Sequence, residues 1–165
     1  KIAKHTFTFE EFLSEEIIKC YKDHVPSIVV RLSNIYGYTK LKRPDLVPTI
    51  MQDIFKKKTI SVWSTKPVRD FIFAEDAAEA VVKLVNSKYK GVVNVGTGKS
   101  HSVDKLISVI SGVSGKKIKS KNIPVTGPYK LLTNIGLLKK ITKWKAKHSF
   151  KQGLVKTYKI MKKYS

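Results

Sequence analysis

Arg69 is the residue of this sequence whose type points most directly to binding chemistry. It is one of three arginines in a chain with 33 lysines and arginines, and it stands in the stretch V-R-D-F-I-F (68–73). Its planar, permanently charged guanidinium can hold a phosphate group with two parallel donors, which lysine does not provide. The neighbouring Asp70 offers an alternative, an ion pair at the end of a strand, and both interpretations stay open at this point.

The other motifs that could carry chemistry are weak. G-T-G-K-S-H (96–101) begins like a dinucleotide-binding fingerprint but lacks its third glycine, so we predict a tight turn between a strand and a helix. The four histidines have no carboxylate or cysteine at metal-ligand spacing, and no G-x-S-x-G motif occurs. We therefore predict no metal site and no nucleophilic enzyme of that type.

The net charge of +21 raises the question of nucleic-acid binding. Nearly all of it comes from lysines that are scattered over every segment, whereas recognition of bases and bidentate phosphate contacts favour arginine. The charge pattern therefore argues against specific nucleic-acid binding.

Hydropathy and cysteine content bound the cellular setting. No apolar run approaches the ~20 residues that span a bilayer, and no signal segment opens the chain, so we expect no membrane association. Cys20 is the single cysteine, which excludes an internal disulfide and suits a reducing cytoplasm. Its position in an amphipathic pattern predicts a small core residue.

Hydrophobic periodicity predicts alternating helices and strands. Helices are expected over 9–23, 46–55 and 103–111, and after Asp76, Asn134 and Ser149; strands are expected over 27–32, 59–63, 66–73 and 91–95. Asp76 with Glu79 and Ser149 with Gln152 have the form of capping boxes, and Ser102 is the expected N-cap of its helix. The alternation favours an α/β or α+β arrangement.

Five segments occur in an order that resembles a known family. They are R-L-S-N-I-Y-G (31–37), R-P-D-L-V-P (43–48), V-R-D-F-I-F-A-E-D-A-A-E-A-V (68–81), G-V-V-N-V-G-T-G-K-S-H-S-V (91–103) and L-L-T-N-I-G-L-L-K-K-I-T-K-W (131–144). Together they resemble the C-terminal half of extended short-chain dehydrogenase/reductases, of the NAD-dependent epimerase/dehydratase type that acts on nucleotide sugars. The resemblance implies an α/β fold, the C-terminal portion of a Rossmann-type protein with its small α/β substrate-binding domain. It divides the chain into a remnant of the dinucleotide-binding domain (1–37) and a substrate-binding region (38–165), with short returns to the Rossmann sheet.

The resemblance also implies roles for individual residues. Asn34 matches the asparagine that contacts the sugar nucleotide, Leu46 and Pro48 match positions that line the nucleotide site, and Trp63 matches the side chain near the base. Arg69 is the counterpart of the arginine that contacts the diphosphate.

Lys130 aligns with a second family arginine and is expected to make a weaker phosphate contact.

The catalytic and cofactor elements of the family are missing. Its Tyr-x-x-x-Lys pair belongs on the first helix, where this chain has Phe7 and Glu11, and a shift of one residue gives Thr8 and Phe12. Phenylalanine has no proton to give, and a carboxylate would oppose formation of a tyrosinate. The glycine-rich loop that binds NAD is absent, so we expect no NAD bound by this chain alone.

These observations lead to three hypotheses. The first is the substrate-binding portion of a nucleotide-sugar epimerase/dehydratase-like protein that is not catalytically competent as this chain, whose parent binds NAD and serves polysaccharide synthesis. The second is a non-catalytic subunit that binds a nucleoside-diphosphate sugar or a partner; in this family the helix at 9–23 commonly packs in a homodimer. The third, a basic nucleic-acid-binding protein, is the one that the charge pattern argues against.

Overall fold

A computed structural model of the chain describes residues 3–41 and 45–164, with side chains described from Glu10 onward. Its helices are α1 (Ala3–Cys20), α2 (Leu46–Lys56), α3 (Ala74–Val85), α4 (Val103–Ser114), α5 (Gly136–Thr142) and α6 (Phe150–Lys163). Its strands are β1 (Ile28–Leu32), β2 (Asn34–Tyr36), β3 (Ile60–Val62), β4 (Val68–Arg69), β5 (Phe71–Phe73), β6 (Gly91–Val95), β7 (His101–Ser102) and β8 (Ile118–Ser120).

Parallel pairing dominates the strands. β1 pairs with β6, β2 with β5 and β3 with β8 in parallel, whereas β4 and β7 pair antiparallel. The single strand predicted over 66–73 is wrong, because the chain changes partner at Asp70 and forms β4 and β5 in different pairs. The backbone of Asp70 instead donates to Leu131 O at 3.1 Å and accepts from Asn34 N at 3.1 Å.

The core lies on both faces of β5, as expected for a buried parallel strand. Phe71 and Phe73 pack with α2, α4 and α6 in one cluster, and Ile72 packs with α3, α5 and β6 in the other. Helices on both sides of short parallel strands make this an α/β fold.

Two of the three predicted helix N-caps are confirmed. Ser102 Oγ accepts from Lys105 N at 3.1 Å at the start of α4, and Ser149 with Gln152 forms a reciprocal capping box at the start of α6. Each cap satisfies N–H groups that have no partner within the helix.

The capping box predicted at Asp76 and Glu79 is wrong. α3 begins at Ala74, and Asp76 is buried in its first turn. Its carboxylate accepts hydrogen bonds from the backbone N–H groups of Lys147 and His148, at 3.2 and 3.1 Å. A segment about seventy residues away in sequence therefore uses the oxygens that the local pattern assigned to a cap.

The prediction that Cys20 is a core residue is also wrong, because Cys20 is exposed. The same helix exposes Leu13, Ile17 and the adjoining Tyr21, at i, i+4 and i+8, by 41%, 59% and 58%. The apolar pattern of α1 thus marks a face that none of the described elements covers. None of the described helices is both long and apolar enough to cross a lipid bilayer.

Candidate functional site

A cleft of about 970 Å³ opens at the carboxyl ends of β1 and β2, and we call it the strand-end cleft. Its walls come from residues 31–39, 45–48 and 131–134, together with Asp70, Phe71, Ala74 and Asn94. In parallel α/β folds, ligands bind beyond the carboxyl ends of the strands, so this is the expected position of a binding site. Three of the predicted site residues line it: Asn34, Leu46 and Pro48.

Asn34 is the first residue of β2, and hydrogen bonds to Asp70 hold it in place. Its backbone N–H and its side-chain Nδ2 both donate to Asp70 O, at 3.1 and 3.3 Å. Asn34 lines the cleft, and its Oδ1 has no hydrogen-bond partner among the described residues, so it is available to accept from a ligand. Beside it, Ser33 Oγ is buried without a described partner. Buried hydroxyl groups are usually hydrogen-bonded, so this unpaired hydroxyl is a position where a ligand or a water molecule can bind.

Leu46 and Pro48 belong to the first turn of α2. Pro48 is buried there and Leu46 is half-buried. Proline is tolerated in a first turn because its missing N–H has no helical acceptor at that position. These two side chains give the cleft an apolar edge. Residues 42–44, which include the arginine of the R-P-D-L-V-P motif, lie outside the described residues.

Arg69 lies next to this cleft rather than in its wall. Its Nη1 donates to Val68 O at 2.8 Å and to Tyr129 O at 3.0 Å, and its side chain is half-buried. The alternative of an Arg69–Asp70 ion pair is not formed, because the Asp70 carboxylate is engaged elsewhere. Val68 and Lys130 are parallel bridge partners, so Arg69 and Lys130 lie on adjacent extended segments.

Trp63 is not brought to the strand-end cleft. It follows β3, its side chain is 71% exposed, and its carbonyl accepts from Ile123 N at 2.8 Å. Three of the six expected substrate-contacting residues therefore line the cleft, Arg69 and Lys130 lie on segments next to it, and Trp63 lies apart.

The G-T-G turn is tied to Asp70, a residue that sequence reasoning did not select. The buried Asp70 carboxylate accepts from Thr97 N at 3.0 Å, from Thr97 Oγ1 at 2.6 Å and from Gly98 N at 3.0 Å. The tight turn predicted here is confirmed, with Gly98 at a φ of 69°. A dinucleotide loop presents free N–H groups to a pyrophosphate, whereas these are already taken, so the loop does not fit the phosphates of NAD.

α1 is held to β1 by a bidentate pair. Glu15 accepts from Arg31 Nε at 2.7 Å and from Arg31 Nη2 at 2.6 Å, and these bonds lower the pKa of Glu15. Phe7 and Glu11 lie one turn apart on the same helix, and Glu11 is exposed. The side chain of Phe7 lies outside the described part.

Two Tyr-x-x-x-Lys strings, Tyr36–Lys40 and Tyr158–Lys162, begin at structural tyrosines. Tyr36 is buried against the rings of Phe73 and Phe150, and its hydroxyl donates to Phe150 O at 3.2 Å. Burial raises the pKa of Tyr36, which is the opposite of what a tyrosine acid/base needs. Tyr158 stacks on Phe55 with ring centroids 5.5 Å apart. Among the described residues, no three His, Cys, Asp or Glu side chains are placed to hold a metal ion.

Comparison with known proteins decides the family. Residues 10–96, just over half of the chain, match the profile of the NAD dependent epimerase/dehydratase family. The chain belongs to this family. Its α/β fold is that of the extended short-chain dehydrogenase/reductases over about half of their length.

Family members with similar sequences are enzymes of nucleotide-sugar metabolism by name. A probable GDP-L-fucose synthase 1 from Oryza sativa subsp. japonica is 31% identical over 141 residues, covering 77% of this chain and 42% of that protein. A putative UDP-glucose 4-epimerase from Methanocaldococcus jannaschii is 26% identical over 165 residues, covering 94% of this chain and 53% of that protein. The chain spans about half the length of the curated relatives that it matches.

A solved family structure shows the same fold. UDP-glucuronic acid 4-epimerase from Bacillus cereus, in complex with UDP-glucuronic acid and NAD, superposes with a TM-score of 0.79 at 22% identity. The superposition covers 92% of this chain and 50% of that one.

Proposed function

We propose that this chain is the nucleotide-sugar-binding portion of an epimerase/dehydratase-like protein, and that it does not catalyse the family's reaction by itself. The observation that carries the proposal is the strand-end cleft, which brings Asn34, Leu46 and Pro48 together beyond the parallel strands. Its volume lies in the range of small-molecule sites, about 300–1,000 Å³. The relatives' names support nucleoside-diphosphate sugars as the ligand class.

The chemistry of the walls supports that ligand class. Asn34 Oδ1 and the unpaired Ser33 hydroxyl can bond to the hydroxyl groups of a sugar. The apolar edge at Leu46 and Pro48 suits the face of a base or a sugar ring. A site of this kind combines apolar surface with few polar groups that fix orientation.

We assign the diphosphate to Arg69, with Lys130 as a second cation. The two residues lie on adjacent extended segments beside the cleft, and no carboxylate neutralises Arg69 among the described residues. Arg69 would exchange its present carbonyl acceptors for phosphate oxygens, which form stronger, charge-assisted bonds. Trp63 is assigned to the base only if the chain around it moves, since its side chain is exposed and does not line the strand-end cleft.

The absence of catalysis rests on Phe7 and Glu11. The family reaction needs a tyrosine whose proton is transferred, and Phe7 offers none. NAD is the cofactor of the parent family. We place its binding outside the residues of this chain, because the N–H groups of the G-T-G turn already donate to the Asp70 carboxylate. We keep the division into a dinucleotide-domain remnant (1–37) and a substrate-binding region (38–165), and a cytoplasmic setting, as parts of the proposal.

A second role, as a subunit that dimerises, is favoured by one observation. Leu13, Ile17 and Tyr21 are spaced four residues apart and form an exposed apolar face on and beside α1. Contiguous apolar surface of this kind is typical of a protein interface. We propose that a second copy of the chain packs on this face, which is compatible with an open strand-end cleft.

Calorimetric titration with UDP-glucose and a GDP-linked sugar tests the proposed ligand class. We expect binding by the wild-type chain, and a loss of about tenfold in affinity in Asn34→Ala, which removes one polar contact. The matched control is Asn86→Ala, because Asn86 is exposed at the end of α3 and lies outside the cleft. Absence of binding by the wild type, or equal losses in both variants, would refute the proposal.

The phosphate assignment has its own test. Arg69→Ala should weaken nucleotide-sugar binding by at least about tenfold. Arg69→Lys should restore only part of the affinity, because lysine keeps the positive charge but lacks the parallel donors of the guanidinium. Unchanged affinity in Arg69→Ala would discard this role and leave the cleft assignment standing.

A further inference from the structure

A second cleft of about 960 Å³ lies on the other side of β2 and β5, and we call it the basic cleft. Tyr36 and Phe71 line both clefts, so the two are separated by the wall that these strands form. The basic cleft is enclosed by one side of α4, by Lys139 of α5, by residues 97–101 in part and by the segment 144–152. None of the proposed nucleotide-sugar contacts lines it.

Lysines converge on this cleft from four separate parts of the chain. The six lining lysines are Lys99, Lys105, Lys139, Lys145, Lys147 and Lys151, and all six are exposed. None of the aspartates and glutamates in the described part of the chain lines the cleft. The combination concentrates positive potential in a concave space, where it acts more strongly than on a convex surface.

The charge in the basic cleft is largely unneutralised. Lys147 forms an ion pair with Glu79 at 2.8 Å, but the other five have no ion pair with a described carboxylate. Elsewhere, lysines do find partners, as in the pair between Lys57 and Asp53 and the pair between Lys156 and Glu75. The chain has 12 acidic residues for 33 basic ones, so unpaired lysines are common, but here six lysines line a single cavity.

A buried polar group in the cleft wall also lacks a partner. Trp144 is 2% exposed, and its indole Nε1 has no acceptor among the described residues. The indole nitrogen is a donor only, so an anion or another acceptor is the only kind of group that satisfies it. An unsatisfied buried donor is destabilising, and an acceptor bound beside it would remove that cost.

An aromatic stack closes one end of the cleft. The rings of His101 and Phe150 stack with centroids 4.2 Å apart and planes at 4°. Burial lowers the pKa of His101, and Lys105 and Lys99 lower it further, although Asp70 acts in the opposite direction.

We propose that the basic cleft binds a ligand that carries several phosphate groups, at a site separate from the strand-end cleft. Lysine binds phosphate as a point charge, and five unpaired ammonium groups around one cavity match a compact ligand with several negative charges. Trp144, whose buried indole N–H has no described acceptor, lines the same cleft. The phosphate chain can come from an inorganic polyphosphate or from a nucleoside triphosphate.

Fluorescence titration with sodium tripolyphosphate tests this site. The chain has two tryptophans, so Trp63→Phe leaves Trp144 as the only one and makes its emission a reporter of the basic cleft. At constant, near-physiological salt we expect a saturable change in Trp144 emission. A lack of any change at millimolar tripolyphosphate would overturn the proposal.

Matched triple variants separate a built site from general attraction. Lys105→Ala/Lys139→Ala/Lys151→Ala removes three charges from the cleft, and Lys83→Ala/Lys88→Ala/Lys159→Ala removes three exposed lysines that lie outside it. We expect the dissociation constant to rise at least about tenfold in the cleft variant and to change less than about twofold in the control. Equal weakening in both would show that the overall charge of +21 accounts for the binding and would contradict the site.

A single charge reversal and a change of ligand complete the test. Lys139→Glu should weaken binding in the same direction, and unchanged affinity there would count against the site. Binding of ATP or UTP about tenfold tighter than tripolyphosphate would identify a nucleotide as the ligand, and equal affinity would identify the phosphate chain alone. Since UDP-glucose is tested by Asn34→Ala, failure here leaves the proposed function unaffected.

Discussion

Asp70 holds Thr97 by two bonds, one to the backbone N–H at 3.0 Å and one to the side-chain hydroxyl at 2.6 Å. The bonds join the end of β4 to the turn after β6, across 27 residues of sequence. Asp70 lines the strand-end cleft and Thr97 lines the basic cleft, so the pair fixes the wall between them. Gly96 fits beside it because an added Cβ would come within 2.7 Å of Asp70 Oδ2.

Replacing Asp70 by asparagine should destabilise the chain. The amide NH₂ would face N–H groups that now donate to a carboxylate, so at least one buried donor loses its acceptor. We expect the free energy of unfolding to fall by about 2–3 kcal/mol in urea titration. The control Asp23→Asn lies in the exposed turn after α1 and should change it by less than about 0.5 kcal/mol. Equal effects would show that the Asp70 network contributes little.

Two helical glycines should respond to alanine with opposite signs. At Gly153 an added Cβ would lie 3.0 Å from Tyr36 Cζ and 3.1 Å from Phe73 Cβ, whereas at Gly112 it meets nothing within 4 Å. Gly153→Ala should cost about 2 kcal/mol through overpacking. Gly112→Ala should stabilise α4 by about 0.5–1 kcal/mol, since alanine has the higher helix propensity. Thermal unfolding of both variants measures the difference, and a neutral Gly153→Ala would contradict the packing of α6 on β2.

His101 should make the stability of the chain depend on pH. Its pKa in the folded chain is lowered, chiefly by burial, so the unfolded chain binds a proton more readily. The stability contribution is complete above the unfolded value of about 6.5 and is lost as the pH falls below it. In urea titrations at pH 7.5 and 5.5, the wild type should lose more stability than His101→Phe. The control His24→Gln, in an exposed turn, should behave like the wild type. A larger loss in His101→Phe would reverse the sign and refute the argument.

The apolar face of α1 should support a dimer. Ile17→Glu places a charge on that face and should convert dimers to monomers in size-exclusion chromatography with light scattering. Val82→Glu is the matched control, because Val82 on α3 is 58% exposed and Ile17 is 59% exposed. A wild type that is monomeric at high micromolar concentration would rule out this interface.

Local patterns were sufficient for the longer elements of the fold. Helices α2, α4 and α6 and strands β1, β3 and β6 lie where periodicity and caps predict them. The strands β2, β7 and β8 were not predicted, because two or three residues are too few for a period and their pairing partners are distant in sequence. Asp76 was misassigned for a related reason: its partners at Lys147 and His148 are invisible to a local pattern.

The residues of the candidate site were likewise only partly predictable from the sequence. Asn34, Leu46 and Pro48 were found through ordered motifs, and they meet in one cleft. Asp70 was considered only as an ion-pair partner of Arg69. Nothing in the sequence links it to Thr97 and Gly98. The basic cleft could not be predicted either. Its lysines are distributed over four segments and are indistinguishable in sequence from the many others.

NMR of the ¹⁵N-labelled chain during titration with UDP-glucose tests the central claim most directly. If the strand-end cleft binds the nucleotide sugar, amide shifts should concentrate in residues 32–39, 45–47 and 131–134, with little change in residues 145–152 of the basic cleft. No shifts at millimolar UDP-glucose, or shifts confined to residues outside the strand-end cleft, would contradict the account.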